Sequence, residues 1–108
     1  MANAFKSNVA ANITTTGNTV YTCPSATQTT LIGLTLANKS AGTLTANVYL
    51  TRSAVDYALI ANAPILSGST LVPIGGDQKV VMQASDSLKI TASANASVDV
   101  IASLLEIT

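Results

Sequence analysis

A chain of 108 residues is most simply one domain, and at that size it can bury roughly two-thirds of its unfolded surface without a covalent staple. Five basic and five acidic side chains leave no net charge, and charged residues make up only 9% of the chain, far below the usual quarter or so. That removes the electrostatic footprint needed for nucleic acid or an anionic membrane. With no histidine and one cysteine, Cys/His metal sites and an internal disulfide framework are excluded by count, and the customary base for a Ser or Cys nucleophile is missing.

The N-terminal stretch MANAFKSNVAANITTTGN has no basic flank followed by an apolar run, so it does not read as a signal peptide. Residues 1–17 read as an extended N-terminal arm. No stretch approaches the ~18 continuous apolar residues of a membrane span. The chain is therefore expected to be made in a cytosol and to stay soluble there. The sequons at Asn12, Asn38 and Asn95 would matter only on a secretory route and are expected to be chance matches. In TCPSA, Cys23 precedes Pro24, which biases it to extended backbone. Nothing basic lies near it in sequence, so the thiol is expected to act as a small buried or half-buried hydrophobe.

Further along, LIGLTLAN puts Ile32, Leu34 and Leu36 on one face with Gly33 and Thr35 opposite. TLTANVYLT places Leu44, Ala46, Val48 and Leu50 on one side and Thr43, Thr45, Asn47, Tyr49 and Thr51 on the other. Period two in Thr-, Val- and Ile-rich runs predicts half-buried strands. In SAVDYALIA, Ser53 and Asp56 imitate a helical capping box, but DYALIA is better read as a strand returning from NVYLTR through a tight turn at Ser53–Val55. TLVPI and KVVMQ flank Gly75-Gly76-Asp77, and SLKITAS presents Leu88, Ile90 and Ala92 on one face. SVDVIASLLEI fits a helical stripe and an alternating one equally well; β-branched Val98, Val100, Ile101 and Ile107 favour a strand. Such a strand is apolar on both faces, with Ile101, Leu105 and Ile107 opposite Leu104. It must be central in its sheet or buried against another chain. The connectors NKSAGT, SGST, ASDS and SANAS are turn chemistry at short spacing. The expected fold is all-β, an antiparallel β-sandwich or jelly roll of about eight short strands in one domain over residues 1–108. Its core should hold Ile32, Leu34, Leu36, Leu44, Val48, Leu50, Leu88, Ile90, Val98 and Val100.

Candidate chemistry is sparse. GGDQK matches neither nucleotide-binding glycine pattern, and the β-branched KVV that follows cannot start the helix both patterns need, so Gly75-Gly76-Asp77 reads as a turn. Asp56, Asp77, Asp86, Asp99 and Glu106 are spread singly among turns and strand edges and read as solvated acids, although Asp77 and Asp86 could meet at one hairpin end. There is no Trp to build a carbohydrate platform, and Tyr49 on a polar strand face is the one aromatic to suspect, with cross-strand packing as its plainer role. No catalytic, cofactor or metal residue is assigned.

Few charges also means little protection for strand edges, because outer faces of Thr, Ser, Asn and Ala suit close packing against neighbouring protein. This points to an obligate assembly component. The stretch NVYLTRSAVDYALIANAPILSGSTLVPIGGDQKVVMQASDSLKITASANASVDVIASLLEIT resembles the small β-rich virion proteins of tailed bacteriophages, particularly marine ones. DYALIANAPILSGSTL is similar to that family's strand, Pro-bearing step and Gly turn. KVVMQASDSLKITAS is similar to its strand–turn–strand unit, with Asp86 in the turn and Ser85 where the family pattern has glycine. VDVIASLLEI is similar to its closing strand. The resemblance implies a non-enzymatic virion component, made in the host bacterial cytoplasm, that decorates the capsid or belongs to the neck, tail or baseplate. Its partners would be itself, as a homo-oligomer, and other virion proteins, with no nucleic acid and no membrane. Ile101, Leu105, Ile107 and Tyr49 are the candidate subunit-interface residues. A bacterial-surface adhesion or carbohydrate-binding module is the alternative.

Overall fold

The computed structural model describes residues 3–74 and 79–108. Nine strands follow one another: β1 (Asn3–Ala10), β2 (Asn18–Thr22), β3 (Gln28–Asn38), β4 (Leu44–Arg52), β5 (Val55–Ile65), β6 (Thr70–Ile74), β7 (Val80–Met82), β8 (Ser87–Ala92) and β9 (Val98–Ile107). They build two antiparallel sheets, with no helix among the described residues. The first sheet runs β1-β9-β3-β6, and β7 also pairs with β3; the second runs β2-β8-β4-β5. The long β3 accommodates two partners on one edge, β7 along Thr29–Leu31 and β6 along Leu34–Ala37. Its other edge pairs with β9 along nearly its whole length.

Alternation explains the layers. Val98, Val100, Ala102 and Leu104 of β9 point inward, as do Ala46 and Val48 of β4 and Leu88 and Ile90 of β8. Full burial of each large aliphatic side chain contributes about 1.5–3 kcal/mol before entropy is counted. Eight of the expected core residues are buried: Leu34, Leu36, Leu44, Val48, Leu88, Ile90, Val98 and Val100.

Ile32 departs from expectation. The β3–β9 register shifts between Leu31 and Gly33, and that bulge turns Leu31 fully inward and leaves Ile32 half-buried. An extra residue in one strand reverses the alternation on either side of it, so Leu31 and Leu34 share the core face at a spacing of three. Leu50 is also only half-buried, packed against the core margin.

The β4–β5 connection is a tight hairpin, with Arg52 paired to Val55 and both Ser53 (φ 53°) and Ala54 (φ 63°) left-handed. Positive φ at both central positions is the mark of a type I′ turn, whose twist matches that of the flanking strands. Between β7 and β8, Asp86 N–H donates to Gln83 C=O (3.0 Å), and Ser85 takes φ 73° at the third position. Glycine is usual there in a type II turn. The Gly75-Gly76-Asp77 turn and any approach of Asp77 to Asp86 lie outside the described residues.

Candidate functional site

The two outer faces of the sandwich differ in kind. Residues opposite one another in an antiparallel ladder share a face. On the first sheet this gives an outward row Asn3–Ile107–Gln28 at one end and Asp99–Ala37–Thr70 at the other, with three rows between them. One runs Phe5–Leu105–Thr30–Val81, the next Ser7–Ser103–Gly33, and the third Val9–Ile101–Thr35. No charged side chain stands in these three; the face carries Asp99, in the end row, paired with Lys39 at 3.0 Å. Phe5 is 79% exposed, Val9 71% and Ile101 53%, with Val72 and Val81 also open on β6 and β7. Leu105 and Ile107 are half-buried on the same side. Exposed apolar side chains gathered on one sheet face, here flanking the Ser7–Ser103–Gly33 row, mark a contact region more often than scattered single residues do.

The second sheet's outer face is polar and internally bonded. Asn47 Nδ2 donates to Thr91 Oγ1 (2.9 Å) and Asn47 Oδ1 accepts from Asn62 N–H (2.7 Å). Asp56 accepts from Thr51 Oγ1 (2.7 Å) and pairs with Lys89 (3.1 Å). Thr51, followed by Lys89, holds the Asp56 carboxyl below its ordinary range. Tyr49 lies here, half-buried, with Lys89 Nζ 5.8 Å from its ring centroid. Of the four interface candidates, Ile101, Leu105 and Ile107 therefore share one face, whereas Tyr49 stands on the opposite side of the molecule.

Two acids read as solvated are in fact buried. Asp86, 2% exposed, receives Arg52 through both carboxylate oxygens (Nε–Oδ1 2.9 Å, Nη2–Oδ2 2.5 Å) and accepts Gln83 N–H at 2.8 Å. The Arg52 hydrogen bonds hold its carboxyl below the usual range, against the opposing effect of burial. The pair fastens the end of β4 to the β7–β8 turn. Glu106, 7% exposed, accepts the Tyr21 hydroxyl at 2.5 Å and the Lys6 ammonium at 2.9 Å. Tyr21, then Lys6, depresses its pKa, while burial and then Glu106 itself push the Tyr21 hydroxyl up. Thr29 Oγ1 lies 2.8 Å from the Tyr21 oxygen and 3.2 Å from Cys23 Sγ. Cys23 is buried, as expected of a small hydrophobe. Sequence reasoning placed these acids outside because a single acid in a strand or turn looks solvated until the partner arriving from another strand is known. Each carboxylate is satisfied by a cation or hydroxyl.

A shallow hollow at one end is lined by Ala26, Thr27, Gln28, Gln83, Ala84, Ile107 and Thr108, with no charged side chain among them. Among the described residues, no three Cys, Asp or Glu side chains gather to hold a metal ion. Phe5 and Val9 went unremarked in the sequence, though their spacing in NAFKSNVA is that of one strand face.

No protein-family model and no curated protein matches the chain. Solved structures do. A protein of Bacillus endospore appendages, described as a novel family of disulfide-linked pili, aligns with TM-score 0.60 at 12% identity, over 98% of this chain and 88% of that one. A protein of the T13 particle of infectious bursal disease virus aligns with TM-score 0.54 at 12% identity, over 96% of this chain. One from the Gx strain of that virus aligns with TM-score 0.50 at 13% identity, over 98%. The chain spans 30% of the length of each viral protein. At such identities the likeness is one of fold.

Proposed function

We propose that this chain is a non-enzymatic structural subunit that assembles through the outer face of its first sheet. The carrying observation is the contrast between faces: charge-free rows with Phe5, Val9 and Ile101 exposed on one side, a self-bonded polar lattice on the other. The charge this face carries, the Lys39–Asp99 ion pair at its end, is internally neutralised, and apolar area removed from water favours association by roughly 25 cal/mol per Å² before the costs of binding. Fold neighbours drawn from pili and a viral particle support the structural role. The appendage protein belongs to disulfide-linked pili; here the single cysteine is buried, so contacts between subunits would be non-covalent.

The sequence resemblance supports the finer reading of a tailed-phage virion component, made in the host cytoplasm and packed on itself and on other virion proteins, as capsid decoration or in the neck, tail or baseplate. Ile101, Leu105 and Ile107 would lie in the contact. Tyr49 would take part only if the polar face made a second one.

Ile101→Asp tests this. Ile101 is half exposed, so the variant should fold with a wild-type melting curve and yet lose self-association or particle binding. A variant that assembles normally would remove the face from consideration. Wild-type protein that sediments as a monomer at high concentration and binds no virion component would defeat the assembly reading and favour the adhesion module.

A further inference from the structure

Strand β1 lies at an edge of the first sheet, paired only with β9. None of its eight side chains is buried, whereas its neighbour β9 sends Val98, Val100, Ala102, Leu104 and Glu106 inward. Its hold includes the backbone ladder to β9, the Lys6–Glu106 ion pair, one bond from Asn8 Nδ2 to Val20 C=O (3.1 Å) and the packing of half-buried Ala10 at its last position against the core margin. Immediately after it the chain is pinned. Ile13 is fully buried, its N–H donates to Val98 C=O (2.9 Å) and its C=O accepts Ala96 N–H (3.2 Å). Between the loose strand and the pin lie only Ala11 and Asn12, both exposed, with Asn12 left-handed at φ 58°.

We propose that β1 is an exchangeable strand, and that the β9 edge it covers is a docking site for the β1 segment Asn3–Ala10 of a second copy. This rests on the assembly reading above and names the partner. Three features select that occupant. The β1–β9 register runs from Asn3↔Ile107 to Ala10↔Val100 without a shift, so a second β1 would regain each ladder bond. Glu106 is buried and needs a cation at the position of Lys6, which fixes both strand identity and register by charge. The hinge is short and bent: it is held by one bond from Asn12 N–H to Asp99 Oδ1 (3.1 Å), and opening it carries β1 away from its own β9. Short hinges favour exchange, because every bond a strand gives up within its own chain is remade in the other.

The test uses two single-cysteine additions, Ser7→Cys in one chain and Ser103→Cys in another, refolded together and oxidised. These positions are direct ladder partners, and facing strand pairs fall within disulfide reach. Exchange predicts a covalent dimer joining the two different chains in the assembled fraction. A chain carrying both substitutions shows that the geometry permits the bond. If the assembled fraction forms, the double variant links only within itself and the mixture gives no mixed dimer, exchange is wrong while assembly stands. If no assembled fraction forms from wild-type protein at any concentration, the assembly reading fails and exchange with it. Charge reversal gives an independent measurement. Lys6→Glu and Glu106→Lys chains should each lose assembly alone and regain it when refolded together, since only exchanged strands restore opposite charges. Failure to regain it, with both variants folded, also overturns the proposal.

Discussion

Replacing Tyr21 by phenylalanine removes one oxygen from the interior and keeps the buried ring. That oxygen donates to an ionised carboxylate at 2.5 Å, in a site where Glu106 is almost wholly removed from water. Hydrogen bonds to charged groups contribute about 1.5–3 kcal/mol. Lys6 remains on the other carboxylate oxygen, so Glu106 is not orphaned, and the lower half of that range, about 1.5–2 kcal/mol, is expected. In a domain of this size it should lower Tm by roughly 6–12 °C. The pH dependence adds a second check. The folded pKa of Glu106 is depressed, so its contribution is fully present above the unfolded carboxyl value of about 4.3 and is lost as pH falls through the folded value. Tyr21 is the largest cause of that depression, so Tyr21→Phe should raise the folded pKa and flatten the acid limb. The gap between variant and wild type, followed by thermal melts from pH 7 to pH 2, should narrow below about pH 4. An unchanged Tm at neutral pH, or a gap constant down to pH 2, would show that the hydroxyl–carboxylate bond carries none of this stability.

Ser85 occupies a left-handed position at φ 73°, so Ser85→Gly should raise stability by up to about 1 kcal/mol, measured by denaturant midpoint, as relieved backbone strain outweighs added chain entropy. Cys23→Ala should fold and assemble, and in the wild-type protein the buried thiol should react with an alkylating reagent only as fast as the fold opens; rapid labelling would contradict its burial. Association through charge-free rows should persist from about 0.05 to about 0.5 M salt in sedimentation, since screening weakens only charge-steered contacts. A steep fall in association over that range would point to the charged rim instead.

How far the sequence revealed the fold depends on what each signal encodes. Alternation in LTANVYL and VDVIASLLEI reported a local property, which residues share a face, and β4 and β9 follow it. The bulge at Ile32 was hidden because inserting one residue between two apolar neighbours leaves the run apolar. The Ser53–Ala54 hairpin was placed correctly, although its left-handed residues are not the Asn-Gly pair such turns favour. Ser85 takes the left-handed conformation usual for glycine, so residue identity understated the turn. The interior polar network was not legible at all. Tyr21 and Glu106 are 85 residues apart, and Arg52 and Asp86 34 apart, so no local pattern joins them. The candidate face was half legible: Ile101, Leu105 and Ile107 came from the two-sided character of β9. Phe5 and Val9 depended on knowing that β1 pairs with it.

The placement of polar groups argues for the same division of labour. Ion pairs join residues distant in sequence, among them Lys6–Glu106, Lys39–Asp99, Arg52–Asp86 and Lys89–Asp56. Each ties one strand or turn to another. Asn38 does likewise, donating through Nδ2 to Gly42 C=O and Ile65 C=O (both 2.8 Å). These groups are paired with one another across the seams of the sandwich. Polar side chains thus tie the described margins and the second face, while Phe5 and Val9 of β1 and Ile101 of β9 stay exposed on the first. The ion pair that secures β1 sits directly beneath that face, so attachment of that strand and exposure of Phe5 and Val9 are coupled. Any contact that draws β1 from its own β9 carries both apolar side chains to the chain that receives it.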